Sequence, residues 1–327
     1  MLFLPLWPLA LSMVGALDLP PAAAAALDHG RFAGTPRGFR IIAISQIADG
    51  CAAQRGDDAA LARACVERAF ARALETRPQG SSLDDGRAGL WLTHLALILG
   101  DGDETGPCLD EQLHRRVAEG LARRSLADPT GHASSYANRR ERWPADQAAT
   151  LAAIHRYDRA HEATLTDDAL AKYRAAITRA TDQATGLPWS EVHGFGTGRQ
   201  PRGCALSWSV RYLSEVDAQL ARAWWERYLE TFLVDRVLLV GFREWPPGVE
   251  RNADADSGPI VAGVGAAASA FGIAAARAMG DAALALRLEA TANAVGLAAN
   301  ADASTRRAAA STLAEAVRFQ AAHQASR

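Results

Sequence analysis

The stretch "DADSGPIVAGVGAAASAFGIAAARAMGD", Asp254 to Asp281, reads in two incompatible ways. As a strand and turn, Gly263-x-Gly265-x-x-Ala268 has the spacing of a dinucleotide-binding fingerprint, with Asp281 near the place of a ribose-binding acid. As one helix, it is a rod lined with Gly and Ala behind an acidic mouth. A dinucleotide loop needs a βαβ unit, yet only "IVA" precedes Gly263, Pro259 would open the strand, and an Ala/Leu-rich helical pattern follows Asp281. The helical reading is therefore preferred. It puts Pro259 in the first turn, where its missing N–H is harmless, and predicts an unbroken helix from about Pro259 to Met279.

The rest of the chain supports a helical class. Its 327 residues are 49% hydrophobic and 22% charged with a net charge of −2, a globular balance that argues against nucleic acid as a partner. Ala-rich runs with a period near 3.6, such as "DDAALARACVERAFARALE", dominate. Helices are predicted near 38–49, 57–76, 85–100, 108–125, 145–161, 166–182, 204–215, 216–236, 258–279, 281–299 and 304–322. "RVLLVGF", Arg236 to Phe242, is the best strand candidate, but one strand makes no sheet, and it is also read as extending the helix before it.

The start, "MLFLPLWPLALSMVGA", is apolar but short for a membrane span and has no Lys or Arg before it. Residues 1–37 are therefore taken as an apolar N-terminal segment plus linker, membrane-proximal or signal-like, and 38–327 as the domain. Membrane association is assigned to residues 1–16, or else export, with the side of the membrane left open. Cys51, Cys65, Cys108 and Cys204 lack CxxC spacing and are read as free, mostly buried thiols.

From residue 126 the connections alternate: long (126–144), short (162–165), long (183–203), very short, long (237–257), very short. In a chain of antiparallel helix hairpins successive connections lie at opposite ends, so the three long loops share one end. The fold class read from this is all-α, an α/α toroid of five to six helix hairpins with its long loops at one end.

Those loops carry the polar and aromatic inventory. Trp143, Trp189 and Trp245 with Tyr136 supply flat walls. Asp146, Glu191, Glu244, Asp254 and Asp256 with His193, His132 and Arg202 supply protons and hydrogen bonds. Asp146 lies in a first helical turn, which favours a carboxylate whatever the function, so a cap and a site role both stand. Glu244, between Arg243 and Trp245 before Pro246-Pro247, has no cap role to explain it. Asp254, Asp256 and Ser257 suit capping of the helix near Pro259 as well as chemistry. Cys204 is the only cysteine near the mouth, at a helix start where a nucleophile is one option. Asn252-x-Asp254-x-Asp256 alternates oxygen ligands like a calcium loop but lacks the following glycine and the downstream glutamate. His94, His114, His155 and His161 fall on helical patterns and are read as packing or surface residues, so neither a metal nor an organic cofactor is expected.

At "WPADQAATLAAIHRYD", "RGCALSWSVRYL" and "FREWPPG…DADSGPIVAGVGAAASAFGIAAARAMGD" the sequence resembles bacterial α/α-barrel proteins related to linalool dehydratase-isomerase, and more distantly six-hairpin glycosidases. The likeness covers roughly residues 85–300 and is one of pattern. It implies addition or removal of water at an unsaturated alcohol by carboxylate, His, Tyr and Cys groups, without cofactor. The paired active-site cysteines of that enzyme have no counterpart pair here, since only Cys204 lies near the mouth. Glycosidase-like relatives imply two carboxylates acting on a sugar stacked against Trp.

The function expected is thus a cofactor-independent acid–base hydrolase or lyase acting on a neutral sugar or alcohol, with a small molecule or oligosaccharide as partner. One carboxyl of the pair Asp146/Glu244 is the general acid and the other the base or nucleophile, with Glu191 beside them, while His193 and Arg202 orient hydroxyls. A terpenoid hydro-lyase or isomerase and a non-catalytic glycan- or peptide-binding scaffold are the rivals.

Overall fold

A computed structural model describes residue 17 and residues 19–83, 88–133, 141–193, 200–236, 239–297 and 311–324, with backbone alone at 141, 193 and 295–297. The chain is predominantly α-helical, with twelve α-helices among the described residues. They are α1 (Pro21–His29), α2 (Arg40–Ala53), α3 (Ala59–Glu75), α4 (Gly89–Thr105), α5 (Glu111–Ala127), α6 (Pro144–His161), α7 (Thr166–Arg179), α8 (Gly203–Val216), α9 (Ala218–Phe232), α10 (Ala266–Ala278), α11 (Ala282–Leu297) and α12 (Thr312–His323). Among the described residues no helix is long and apolar enough to cross a membrane, and residues 1–16 lie outside them.

Two kinds of helix alternate. α4 is buried on every side from Trp91 to Gly102, as its apolar run "LWLTHLALIL" demands. α9 buries only Ala221, Trp224, Trp225, Tyr228 and Phe232, a single stripe at helical spacing. The buried kind form a cycle of contacts: α2 packs on α4, α4 on α6, α6 on α8, α8 on α10, α10 on α12, and α12 returns to α2. Gly50 permits the last of these, because a Cβ there would stand 2.7 Å from the Phe319 ring. The other helices flank the cycle: α3 lies against α2 and α4, α5 against α4 and α6, α7 against α6, α9 against α8, and α11 against α10.

The flanking helices stop and start on side chains. Asp58, Asp110 and Asp217 accept from Leu61 N (3.0 Å), Leu113 N (2.9 Å) and Leu220 N (3.1 Å) at the N-termini of α3, α5 and α9. No side-chain cap closes α2, α4, α6, α8 or α10. Asp217 also ends α8, which splits the two predicted helices where expected.

Four expectations are corrected. "RVLLVGF" does not extend α9: β3 (Leu233–Arg236) and β4 (Leu239–Phe242) form an antiparallel hairpin, each strand supplying the partner that a lone strand lacks. The helix expected from Pro259 starts only at Ala266, because Ile260–Val261 and Val264–Gly265 pair as a second small hairpin. Gly263 turns that hairpin at φ 81° and Gly265 ends it at the start of α10, so the fingerprint glycines serve an antiparallel turn and no βαβ unit forms. Residues 21–29 are not linker but α1, whose Ala22 N donates to Glu315 Oε2 (3.1 Å) and whose Leu27 O accepts from Arg72 (2.9 Å). Cys51 and Cys65 form a disulfide between α2 and α3, leaving Cys108 and Cys204 as thiols.

The C-terminal halves of the cycle helices meet in a buried ion network. Arg156 of α6 donates to Asp101 Oδ1 of α4 (2.7 Å), Asp49 Oδ1 of α2 (3.0 Å) and both Glu215 oxygens of α8 (2.8 and 2.9 Å). Arg211 adds bonds to Asp49 Oδ2 (2.9 Å) and Glu215 Oε1 (2.5 Å), and Gln320 of α12 reaches Asp49 Oδ2 (2.7 Å). Burial alone would lower the Arg156 pKa, but Glu215, Asp101 and Asp49 outweigh it and hold the guanidinium charged. Arg156→Met should leave these carboxylates under-compensated and cost about 3–5 kcal/mol in urea unfolding. Arg287→Ala, which removes an exposed pair with Asp235, should leave the midpoint where it is.

Candidate functional site

The N-terminal ends of the cycle helices surround a cavity of about 670 Å³. Phe39 just before α2, Ile42 of α2, Leu90 of α4, Asp146 of α6, Cys204 and Trp208 of α8, Ala266 and Phe271 of α10, and Leu313 of α12 all line it. The three long loops converge here as their alternation required. β1 (Glu141–Arg142) pairs with β2 (Val192–His193), joining the first loop to the second. Arg202 joins the second to the third, donating from Nε to Glu244 Oε1 and from Nη2 to Asp254 Oδ1.

A missing side chain makes the second junction possible. Gly203 N donates to Glu244 O (2.9 Å), and a Cβ on Gly203 would fall 2.0 Å from Arg243 O. The chain leaving β4 therefore seats directly on the first turn of α8, bringing Glu244 beside Arg202. Glu244 is fully buried, and its Oε2 lies over Gly265 without a conventional donor. Burial raises its pKa, opposed by the Arg202 charge and by hydrogen bonds from the Cys204 thiol and Arg202, and the balance stays above the ordinary carboxylate value. Cys204 lines the cavity, and burial and the Glu244 charge push its thiol well up, the opposite of the shift that activates a cysteine.

Asp146 is placed differently. It sits in the first turn of α6 at the cavity wall, and no hydrogen bond or ion pair engages its carboxyl among the described residues. Burial, with a contribution from the Asp256 charge, raises its pKa to about 7. Asp256 stands at the rim, 3.7 Å from Arg202 Nη1; desolvation and Asp254 raise its carboxyl against the pull of Arg202. Asp254 goes the other way. Desolvation is outweighed by Arg202 and by the Ser257 and Asp256 amides, at 2.9 and 3.0 Å, which keep it ionised. These acids do not cap α10 with their side chains: Ser257 O and Pro259 O take the Ala267 and Ala266 amides instead (3.0 Å each).

The tryptophans divide. Trp143 and Glu191 line the cavity. Trp189 packs on the core, its amide bonded to Ala180 O (2.9 Å), and does not reach the cavity. Trp245 is taken up by arginines, with Arg202 4.9 Å and Arg251 5.1 Å from its ring, and is not a cavity wall. His132 is buried against Tyr173, with Nδ1 2.8 Å from Thr130 O. Tyr136 lies outside the described residues, as does the side chain of His193. The main aromatic wall escaped the sequence reading: Trp208 packs edge-on against Phe271 (4.7 Å) and lines the cavity one helical turn beyond Cys204. That spacing was the available signal, since Cys204 and Trp208 share a helix face.

No protein-family model matches the chain, and no curated protein matches it in sequence.

Two outcomes follow from this geometry. A carboxyl whose pKa rises on folding contributes its full stability below the unfolded pKa, about 3.9, and loses it as pH climbs through the folded value. Stability of the wild type should thus decline between about pH 4 and about pH 7 relative to Asp146→Asn, measured as urea midpoints across that window. Trp245→Ala should lower the melting temperature through lost stacking on Arg202 and Arg251, with ligand affinity at the cavity little changed.

Proposed function

We propose that the chain is an α/α toroid of six helix hairpins whose mouth adds or removes water at a mostly apolar alcohol by acid–base chemistry of its own side chains. The cyclic contacts among α2, α4, α6, α8, α10 and α12, each with a flanking partner, support the toroid. The observation that carries the chemistry is Asp146, a carboxyl facing a largely hydrocarbon cavity and poised to be half-protonated near pH 7.

In this reading protonated Asp146 gives its proton to the substrate hydroxyl as the C–O bond breaks and water leaves. A proton on the adjacent carbon passes to a carboxylate, Asp256 being the one electrostatically coupled to Asp146, and its C–H electrons form the double bond. Hydration is the same path reversed. Phe39, Leu90, Trp208 and Phe271 hold the carbon chain. The wall composition favours an unsaturated, terpenoid-like alcohol over a sugar, because Trp143 alone of the three expected stacking tryptophans reaches the cavity. Glu244 is assigned to positioning Arg202 rather than to proton transfer. The Cys51–Cys65 disulfide supports an oxidising compartment, in keeping with an exported or membrane-associated chain.

The test is turnover of purified protein against panels of terpenols and oligosaccharides, with deuterium incorporation from heavy water as a second readout. Asp146→Asn should lose on the order of 10²-fold or more in rate with an unchanged melting profile at neutral pH or a slightly raised one. Glu244→Gln should instead unfold earlier and keep most of its turnover. Normal activity in Asp146→Asn would remove the proposal, and cleavage of an oligosaccharide alone would replace it with a glycosidase. Tight binding without turnover of any panel member would make the mouth a binding site.

A further inference from the structure

Away from the cavity, at the end of the cycle where α4 and α6 finish, four side chains of different chemistry meet. Asp103 comes from the last turns of α4, Cys108 from the α4–α5 connection, His114 from the first turns of α5 and His161 from the end of α6. One donor atom from each lies within 4.8 Å of every other. Asp103 Oδ2 is 3.0 Å from His114 Nδ1 and 3.2 Å from His161 Nε2. We propose that Asp103, Cys108, His114 and His161 bind one zinc ion as a closed, four-coordinate structural site.

The donor set is the first argument. A thiolate, two imidazoles and a carboxylate select zinc among common divalent ions, and four protein ligands make a structural rather than a catalytic centre. Ligand atoms about 2.0–2.3 Å from a tetrahedral zinc stand roughly 3.3–3.8 Å apart. The observed separations, 3.0 and 3.2 Å for two edges and no more than 4.8 Å for the rest, bracket that geometry. The Cys108 proton passes to solvent as the Zn–S bond forms.

The surroundings hold these groups in place. Tyr157 stacks on His161 at 4.5 Å and meets His114 edge-on at 5.0 Å, fixing both rings. Arg63 of α3 donates to Gly102 O (2.9 Å) and Pro107 O (2.7 Å), clamping the turn that presents Cys108. The sequence hid the site because Asp103-x4-Cys108-x5-His114 matches no compact ligand motif and the fourth donor is 47 residues further on, at His161.

Full-length protein without a histidine tag, purified and treated with chelator, should take up one equivalent of zinc per chain and melt at a higher temperature once loaded. Cobalt(II) in its place should give the intense visible bands of a tetrahedral site and a thiolate-to-cobalt charge-transfer band. That band should vanish in Cys108→Ser and persist in Cys204→Ser. Should Cys108→Ser fail to fold, His161→Ala, altered at a partly exposed helix end, should fold and lose the tetrahedral cobalt spectrum. No stoichiometric metal, or a cobalt–thiolate band that survives Cys108→Ser, would overturn the site and leave a hydrogen-bonded clamp. The outcome is independent of whether the cavity has the activity proposed above.

Discussion

Arg156 and its carboxylate partners are the constraint on which the rest of the structure depends. A guanidinium and three acids removed from water are tolerable only when all of them arrive together, since any one left alone carries the full desolvation cost. Asp49, Asp101, Arg156 and Glu215 belong to α2, α4, α6 and α8, so satisfying them fixes the rotation and height of four helices at once. Hydrophobic burial brings the helices together without direction. The ion network supplies the direction, because a helix turned by one residue would carry its charge about 100° away from its partners.

With the C-terminal halves locked, the opposite ends are placed by geometry. The N-termini of the cycle helices end around the cavity, and most lack side-chain caps. Amides and dipoles at that end favour negative charge, which helps explain why the loops there are acidic. Within this group the fates of the acids differ. Arg202 engages Glu244 and Asp254, whereas Asp146 faces hydrocarbon and is left with a raised pKa. A single cation, by choosing its partners, sets which carboxyls are held in ion pairs and which is left with a raised pKa.

Much of this was legible in the sequence, and the limits have physical causes. Periodicity located the long helices, and alternating loop length brought Trp143, Glu191, Arg202 and Asp254 to one end. The small hairpins were not legible, because "IVAGVG" and "RVLLVGF" are short apolar runs whose pairing depends on a partner only a few residues away and not on a repeat. Glu244 looked reactive because nothing local explained it, yet its explanation lies 42 residues back, at Arg202. Cys65 sits on a predicted helix and Cys51 just past the end of the one before it, and only the packing of α2 on α3 brings their sulfurs into reach. In each case the deciding neighbour is close in space and unmarked in sequence.

The cycle is closed by the two ends of the chain. Residues before α2 meet α12 along a line of hydrogen bonds: Ala22 N to Glu315 Oε2, Thr312 N to Ala33 O, and Leu313 N to Thr35 Oγ1. This line is a seam between the first and last described parts of the chain. Such a seam makes the architecture indifferent to where the chain is cut. Its final helix contacts its first cycle helix as intimately as any consecutive pair, so a circular permutant opened at an exposed flanking turn would keep every inner contact. Without α12 at this seam, the faces that α2 and α10 turn to it would lie open to water, so both depend on a helix far from them in sequence.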